Sequence, residues 1–416
     1  MSDKLHQPPI PTDVRMRGFA RRATVEAALA WIKKQTHPLP AETVALSDAC
    51  GRVLVGDVQS QVDVPGFERS MMDGFALHAS DTSGATPYNR LQIIVIGQSL
   101  PGQPFEHEVR KGEAVRIMTG APMPTAVDAV LPAEQVEIDG DTILAQGEVS
   151  PGKHVGRQGE DISSGTNVLS AGRHLRPQDI GVLSSIGVAS VEVVRRPKVR
   201  IVVTGNELLP PGSAPEGYKI VDANSPMLAS LIQRDGGIPI NPGIIADEPN
   251  AILAAIRDDA DVVLVSGGSS VGQEDHAPSL LAKHGSLEIH GIAMRPSSPA
   301  GMGRLDQRIV FLLPGNPVSC LCAYDFFAGR AIRALGGLSK DWPYGKTNLH
   351  LRRKLVSQVG RVDYARVKIV ANQIEPLAIS GASVLSSTTR ADGFVIVPAD
   401  SEGYPERSEV EVFLYG

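Results

Sequence analysis

The chain has 416 residues with a net charge of -6; 21% are charged and 42% hydrophobic. At about 150 residues per domain this length predicts two to four domains, and the balance excludes a disordered chain. Negative net charge argues against a dedicated nucleic-acid binder, whose footprint is a basic patch, and 4% aromatics are too few for a single-strand stacking platform. Glycine (42) and proline (31) exceed their combined average of about 12% without any short period, which predicts many turns. Three cysteines (Cys50, Cys320 and Cys322) cannot build a disulfide framework and fit a reducing compartment. No run approaches the ~18 apolar residues that span a bilayer. Residues 1–22 lack the apolar segment of a secretory signal, so the expected location is the cytoplasm, with no membrane partner.

From the N-terminal end, Val25, Ala28, Leu29 and Ile32 share one face of a helix expected over Thr24–Lys34. From Gln59 to Val155, short apolar runs separated by glycine and proline turns predict a small strand-rich domain. Arg176-Pro177 opens a helix through Leu183, since proline suits a first turn. Pro197–Gly337 changes character. Continuous apolar strands at Val199–Val203, Gly243–Ile245, Val262–Val265 and Ile309–Leu313 alternate with helices at Ser225–Gln233, capped by Asn224 or Ser225, and Asn250–Arg257. A final helix runs through Tyr324. Such alternation predicts a parallel sheet covered on both faces. After Trp342, alternating runs at Leu349–Leu351, Val362–Tyr364, Phe394–Val397 and Val410–Phe413 predict a small β-barrel.

Ligands of open parallel sheets bind beyond the carboxyl ends of the strands. Three loops at those ends stand out: Thr204-Gly205-Asn206-Glu207, Ser266-Gly267-Gly268-Ser269-Ser270-Val271-Gly272, and Leu313-Pro314-Gly315-Asn316-Pro317-Val318-Ser319. Small residues let backbone N–H groups approach an oxyanion. Glu207, Asp247 and Asp275 beside them suit a Mg2+ ion shared with phosphate oxygens. There is no P-loop motif, no GxGxxG after a strand and no zinc spacing. Cys320 and Cys322 read as small buried residues. In the strand-rich part, Phe67–Phe75 carries Asp73, Arg116–Pro122 carries Thr119, and Gly159-Glu160-Asp161 adds acids.

The ordered set Leu46–Leu54, Met72-Asp73-Gly74, Met118–Pro122, Gly159–Ile162, Thr204–Leu208, Ser266–Asp275 and Leu313–Ser319 resembles the molybdopterin molybdenumtransferase (MoeA-type, gephyrin E-domain-like) family along nearly the whole chain. The resemblance implies an α/β multidomain fold in four parts. These are a helical domain of two segments (13–58 and 156–195), an inserted β-rich domain (59–155), a MogA-like doubly wound α/β domain (196–337) and a C-terminal β-barrel (338–416). It further implies an elongated homodimer with active sites shared between protomers. The implied reaction inserts molybdate into adenylated molybdopterin and releases AMP, with Mg2+. By motif position it assigns Asp73, Thr119, Asp161, Glu207, Asp247, Asp275 and Arg295 to catalysis, and Glu207 and Asp275 also to the metal. Ser266, Gly267, Gly268, Ser270, Gly272, Pro314, Gly315, Asn316, Pro317 and Ser319 would bind the substrate, with Thr119 towards the molybdate. Where the family has K-x-A-x-K-P-G-K-P, this chain reads Gly291 to Pro299. Positive charge survives at Arg295, while two lysines become Gly291 and Ser298, each a loss of about 1–4 kcal/mol of attraction for an anion. Arg69, Met71 and Asn206 also depart from the pattern, and Arg69 either restores a charge or blocks the pocket. The alternative reading is therefore a non-catalytic paralogue that binds molybdopterin as a carrier or scaffold.

Overall fold

The computed structural model describes residues 22–268, 275–378 and 383–416. They form two compact units, one taking the residues up to Glu42 with Val194–Gly416, the other Thr43–Val193. Among the described residues no helix is long and apolar enough to cross a membrane.

In the first unit the expected apolar strand runs Lys198–Thr204 inside a seven-stranded sheet. Strands Ile238–Ile240, Ile244–Ile245 and Val262–Ser266 lie parallel to it, and Arg308–Leu313 lies parallel to Val262–Ser266. All five residues of Val262–Ser266 are buried, because helices cover both faces. Helices Asn224–Arg234 and Gly329–Leu335 place Leu228, Ile232 and Ile332 on the core that holds Val199, Ile201 and Leu264. Helices Pro249–Arg257 and His276–His284 place Ile252, Ile256 and Leu281 on the other core, with Val202, Val263 and Val265. Each such aliphatic side chain contributes about 1.5–3 kcal/mol on burial.

The sheet is mixed, which corrects the expectation of a parallel one. Ser286–His290 and Gly301–Leu305 extend it antiparallel beyond Arg308–Leu313. Gly301 and Gly303 lie within strand Gly301–Leu305 although glycine weakens strands. Here the backbones approach so closely that a Cβ on Gly303 would fall 1.9 Å from the Ser286 carbonyl oxygen.

Two helix ends also differ from expectation. Helix Asn224–Arg234 starts one residue early, and its first N–H groups are taken by the side chain of Asp222, not by Asn224 or Ser225. The helix after Arg308–Leu313 runs Pro317–Ala323, passes through a π-turn at Tyr324–Ala328 and continues as Gly329–Leu335. Cys320 and Cys322 are fully buried in it, as small core residues.

Helix Val25–Gln35 starts at Thr24, whose hydroxyl accepts the Ala27 N–H at 3.1 Å. Its buried face, Val25, Ala28 and Ile32, joins the same core as Phe327 and Ile332. At the C-terminal end Val362–Val370, Gln373–Ala378, Gly345–Leu351, Glu409–Leu414 and Gly393–Val397 pair in that order, and Gly393–Val397 returns to Val362–Val370. That last pairing closes a five-stranded barrel and leaves no free sheet edge among these strands.

The second unit holds a six-stranded sheet in the order Ala129–Pro132, Gly74–Leu77, Glu113–Ile117, Leu91–Ser99, Thr142–Ala145, Val136–Asp139. A separate core of Ala49, Leu54, Leu175, Leu183, Val191 and Val193 gathers around helix Pro177–Ser185. Asp179 accepts the Arg176 N–H at that helix start and pairs with both Arg173 and Arg176.

Candidate functional site

In the first unit the carboxyl ends of three parallel strands open into a cleft of about 550 Å³. Its lining includes Thr204 and Glu207 after the first strand, Ser266, Gly267, Gly268 and Asp275 after the second, and Gly315, Asn316 and Pro317 after the third. The three loops singled out in the sequence therefore meet in one place. Gly267 has a φ of +93° and a Cβ there would lie 2.3 Å from the Thr204 carbonyl oxygen, so the second turn can pass over the first only as glycine. Gly268 sits beside Asp247, whose Oδ1 is 3.8 Å from the position of an added Cβ. Pro314 and Ser319 are buried behind the rim. Ser270 and Gly272 lie outside the described residues.

Two lining residues were missed as site residues, Asp222 and Asn224. Asn224 donates from Nδ2 to the Ser266 hydroxyl at 2.9 Å and to the Gly315 carbonyl at 2.7 Å. The signal was present in Asp222-Ala223-Asn224-Ser225, an acid and two hydroxyl or amide groups ahead of an apolar run. Cys320 lies 3.8 Å from the Ser266 hydroxyl, but burial pushes its thiol up to about 12, so it remains neutral in the core behind the cleft.

Arg295 is placed elsewhere. It pairs with the fully buried Asp363 of the barrel, which also meets Arg361 at 3.3 Å and accepts the Ser357 hydroxyl at 2.6 Å. Arg295 is not among the residues lining the cleft. Ser297, where the family pattern has glycine, is buried at a φ of +86° and donates its hydroxyl proton to the Ser319 carbonyl.

Asp73, Thr119 and Asp161 belong to the second unit. Gly74 pairs with Ile117, which brings the two flanking turns together. Asp73 Oδ1 accepts the Thr119 N–H at 2.7 Å and the Thr119 hydroxyl at 2.8 Å. The backbone bond first, then the hydroxyl, holds the Asp73 carboxyl below the usual carboxylate range. The charged form is the one stabilised, so this contribution is present above the ordinary aspartate value and is lost as pH falls through the lowered one. Thr119→Val should move the Asp73 titration upward towards about 3.9, while Thr119→Ser should not. An NMR titration of the Asp73 carboxyl checks this, and an unmoved midpoint in the valine variant refutes it. Asp161 donates its backbone N–H to the Val64 carbonyl at 3.1 Å and lines a separate hollow with Arg173 and Asp179. Arg69 meets Glu160 at 3.3 Å, so its charge is turned towards that acid.

Three family models match the chain in succession: the MoeA N-terminal region (domain I and II) over residues 23–187, a probable molybdopterin binding domain over 200–334, and the MoeA C-terminal region (domain IV) over 348–415. A molybdopterin molybdenumtransferase 2 of Mycobacterium tuberculosis is 34% identical over 372 residues, 86% of this chain and 91% of that one. The chain belongs to the molybdopterin molybdenumtransferase (MoeA) family. A molybdopterin molybdenumtransferase of Haemophilus influenzae is 31% identical over 88% of this chain and 92% of its own. The crystal structure of a molybdopterin biosynthesis MoeA protein from Pyrococcus horikoshii OT3 superposes with a TM-score of 0.79 at 31% identity, covering 95% of this chain and 100% of that one. The α/β multidomain fold with its closed barrel is thus the MoeA fold, and membership places the chain in molybdenum cofactor biosynthesis.

Proposed function

We propose that the protein inserts molybdate into adenylated molybdopterin and releases AMP, in the cytoplasm, as a homodimer whose protomers share active sites. What carries this reading is the cleft, which joins two carboxylates, Glu207 and Asp275, to two small-residue turns at the ends of parallel strands. Turns of that kind suit the phosphates of the adenylated substrate. Among the described residues no group of three or more His, Cys, Asp or Glu is set to hold a metal by itself. The donor set fits Mg2+, which takes one or two carboxylates and completes its shell with water and phosphate oxygens. Glu207 and Asp275 would hold it, and there it would neutralise phosphate charge. The chain's own groups position the rest: the Ser266 hydroxyl and the 266–268 and 315–317 backbone orient the phosphates, and Asp247 borders the second turn. Asp73, Thr119 and Asp161 are assigned to the same reaction, with Thr119, whose N–H and hydroxyl Asp73 holds, towards the molybdate.

Purified protein incubated with adenylated molybdopterin, Mg2+ and molybdate should release AMP in step with molybdenum bound to pterin. Glu207→Gln and Asp275→Asn should each lower this turnover on the order of 100-fold; full activity in either variant would remove the metal assignment. One observation favours the carrier reading instead: Arg295, the surviving cation of its motif, is already engaged by Asp363, and Gly291 and Ser298 bring no charge. Tight pterin binding without AMP release would decide for it, and absence of binding would end both readings.

A further inference from the structure

We propose that Asn224 is a positioning residue that ties the two turns of the cleft to one another, so that the ligand meets them in a fixed register. The proposal rests on reading the cleft as the substrate site. An amide carries two N–H donors, and Asn224 gives one to the Ser266 hydroxyl at 2.9 Å and the other to the Gly315 carbonyl at 2.7 Å. Ser266 ends strand Val262–Ser266, and Gly315 lies in the turn just after the adjacent parallel strand Arg308–Leu313. The Gly315 carbonyl can only accept, which fixes the amide with its nitrogen towards the turns.

The cost of this arrangement is visible in the same side chain. Asn224 is buried, and its Oδ1 has no hydrogen-bond partner among the described residues. A buried acceptor left unmatched is unfavourable, so the amide is oriented by what it holds and not by its own satisfaction. Its backbone is anchored independently. Asp222 Oδ1 accepts the N–H groups of Asn224 at 2.9 Å and Ser225 at 3.0 Å, and Ser225 donates its hydroxyl proton to Asp222 Oδ2. A capped helix thus presents one amide to both turns.

Asn224→Asp keeps the shape and removes both donors; Ser266→Ala removes one arm only. In the full-length protein, hydrogen exchange should quicken over 262–268 and 313–318 in Asn224→Asp and over 262–268 alone in Ser266→Ala, with the barrel strands unchanged. In turnover, Asn224→Asp should raise KM for adenylated molybdopterin about tenfold with a smaller change in kcat. The double variant should cost less than the sum of the two single changes. Unaltered exchange at both turns overturns the tie, and so does faster exchange spread through the whole unit with KM unmoved. If the unaltered protein releases no AMP, the functional reading fails, while the exchange measurement still decides the tie.

Discussion

Asp325→Ala is expected to cost on the order of 3 kcal/mol of stability in the unit that carries the barrel. Asp325 is fully buried in the π-turn. Its carboxylate accepts Arg234 at 3.0 Å and the Tyr344 hydroxyl at 2.9 Å, and its backbone carbonyl accepts Trp342 Nε1 at 2.8 Å. Arg234 also meets the fully buried Asp235 at 2.8 Å and Tyr344 at 2.6 Å. Alanine would leave a guanidinium and a phenol short of their acceptor, and chemical denaturation should show the loss as an earlier transition of this unit.

Burial, outweighing the pull of Arg234, pushes the Asp325 carboxyl up to about 6. Between the ordinary aspartate value and that one, the folded state holds a proton that the unfolded chain has released. Stability therefore falls as pH rises through this window. An asparagine at this position does not titrate, so the lead of the native protein over Asp325→Asn should widen from pH 8 to pH 5. A constant difference would show that the carboxyl does not titrate there. Asp325→Asn should also be milder than Asp325→Ala, because it keeps the acceptor.

The second large effect falls on activity. Gly267→Ala would set a methyl 2.3 Å from the Thr204 carbonyl oxygen at a φ of +93°. Thr204 ends a strand held on both sides by the sheet, so the turn must give way. Displacing the turn by about 1 Å should lower kcat/KM for AMP release on the order of 100-fold. The melting temperature should fall far less, because the cores beneath keep their contacts. Gly315→Ala is the control for space: its Cβ would meet nothing nearer than Gly267 Cα at 3.8 Å, and its loss should be smaller. Equal activity in Gly267→Ala and the native protein would mean that the turn does not position substrate.

Much of this was legible in the residues. The apolar run Val199–Val203 and the buried Val262–Val265 announced sheet strands because two-sided burial demands continuous hydrophobicity. The spacing of Val25, Ala28, Leu29 and Ile32 announced the first helix, since apolar residues at that period share one face. The three turns at the strand ends stood out by their small residues, and they do converge on one cleft. Family membership was likewise legible, since the ordered motifs run the length of the chain.

What the chain could not announce were facts of partnership. Ser286–His290 and Gly301–Leu305 join the sheet only by pairing with one another and with Arg308–Leu313. Asn224 looks like a cap until Ser266 and Gly315, 42 and 91 residues away, receive its amide. Arg295 looks like a free cation until Asp363 of the barrel takes it. Local hydrophobic period, capping and turn chemistry act between neighbours in sequence, so the sequence by itself determined the apolar strands, the amphipathic helices, the family and the small-residue turns. Which acceptor a buried donor finds, and where a charge is spent, depend on groups brought together by long-range packing, and these the tertiary structure alone decided.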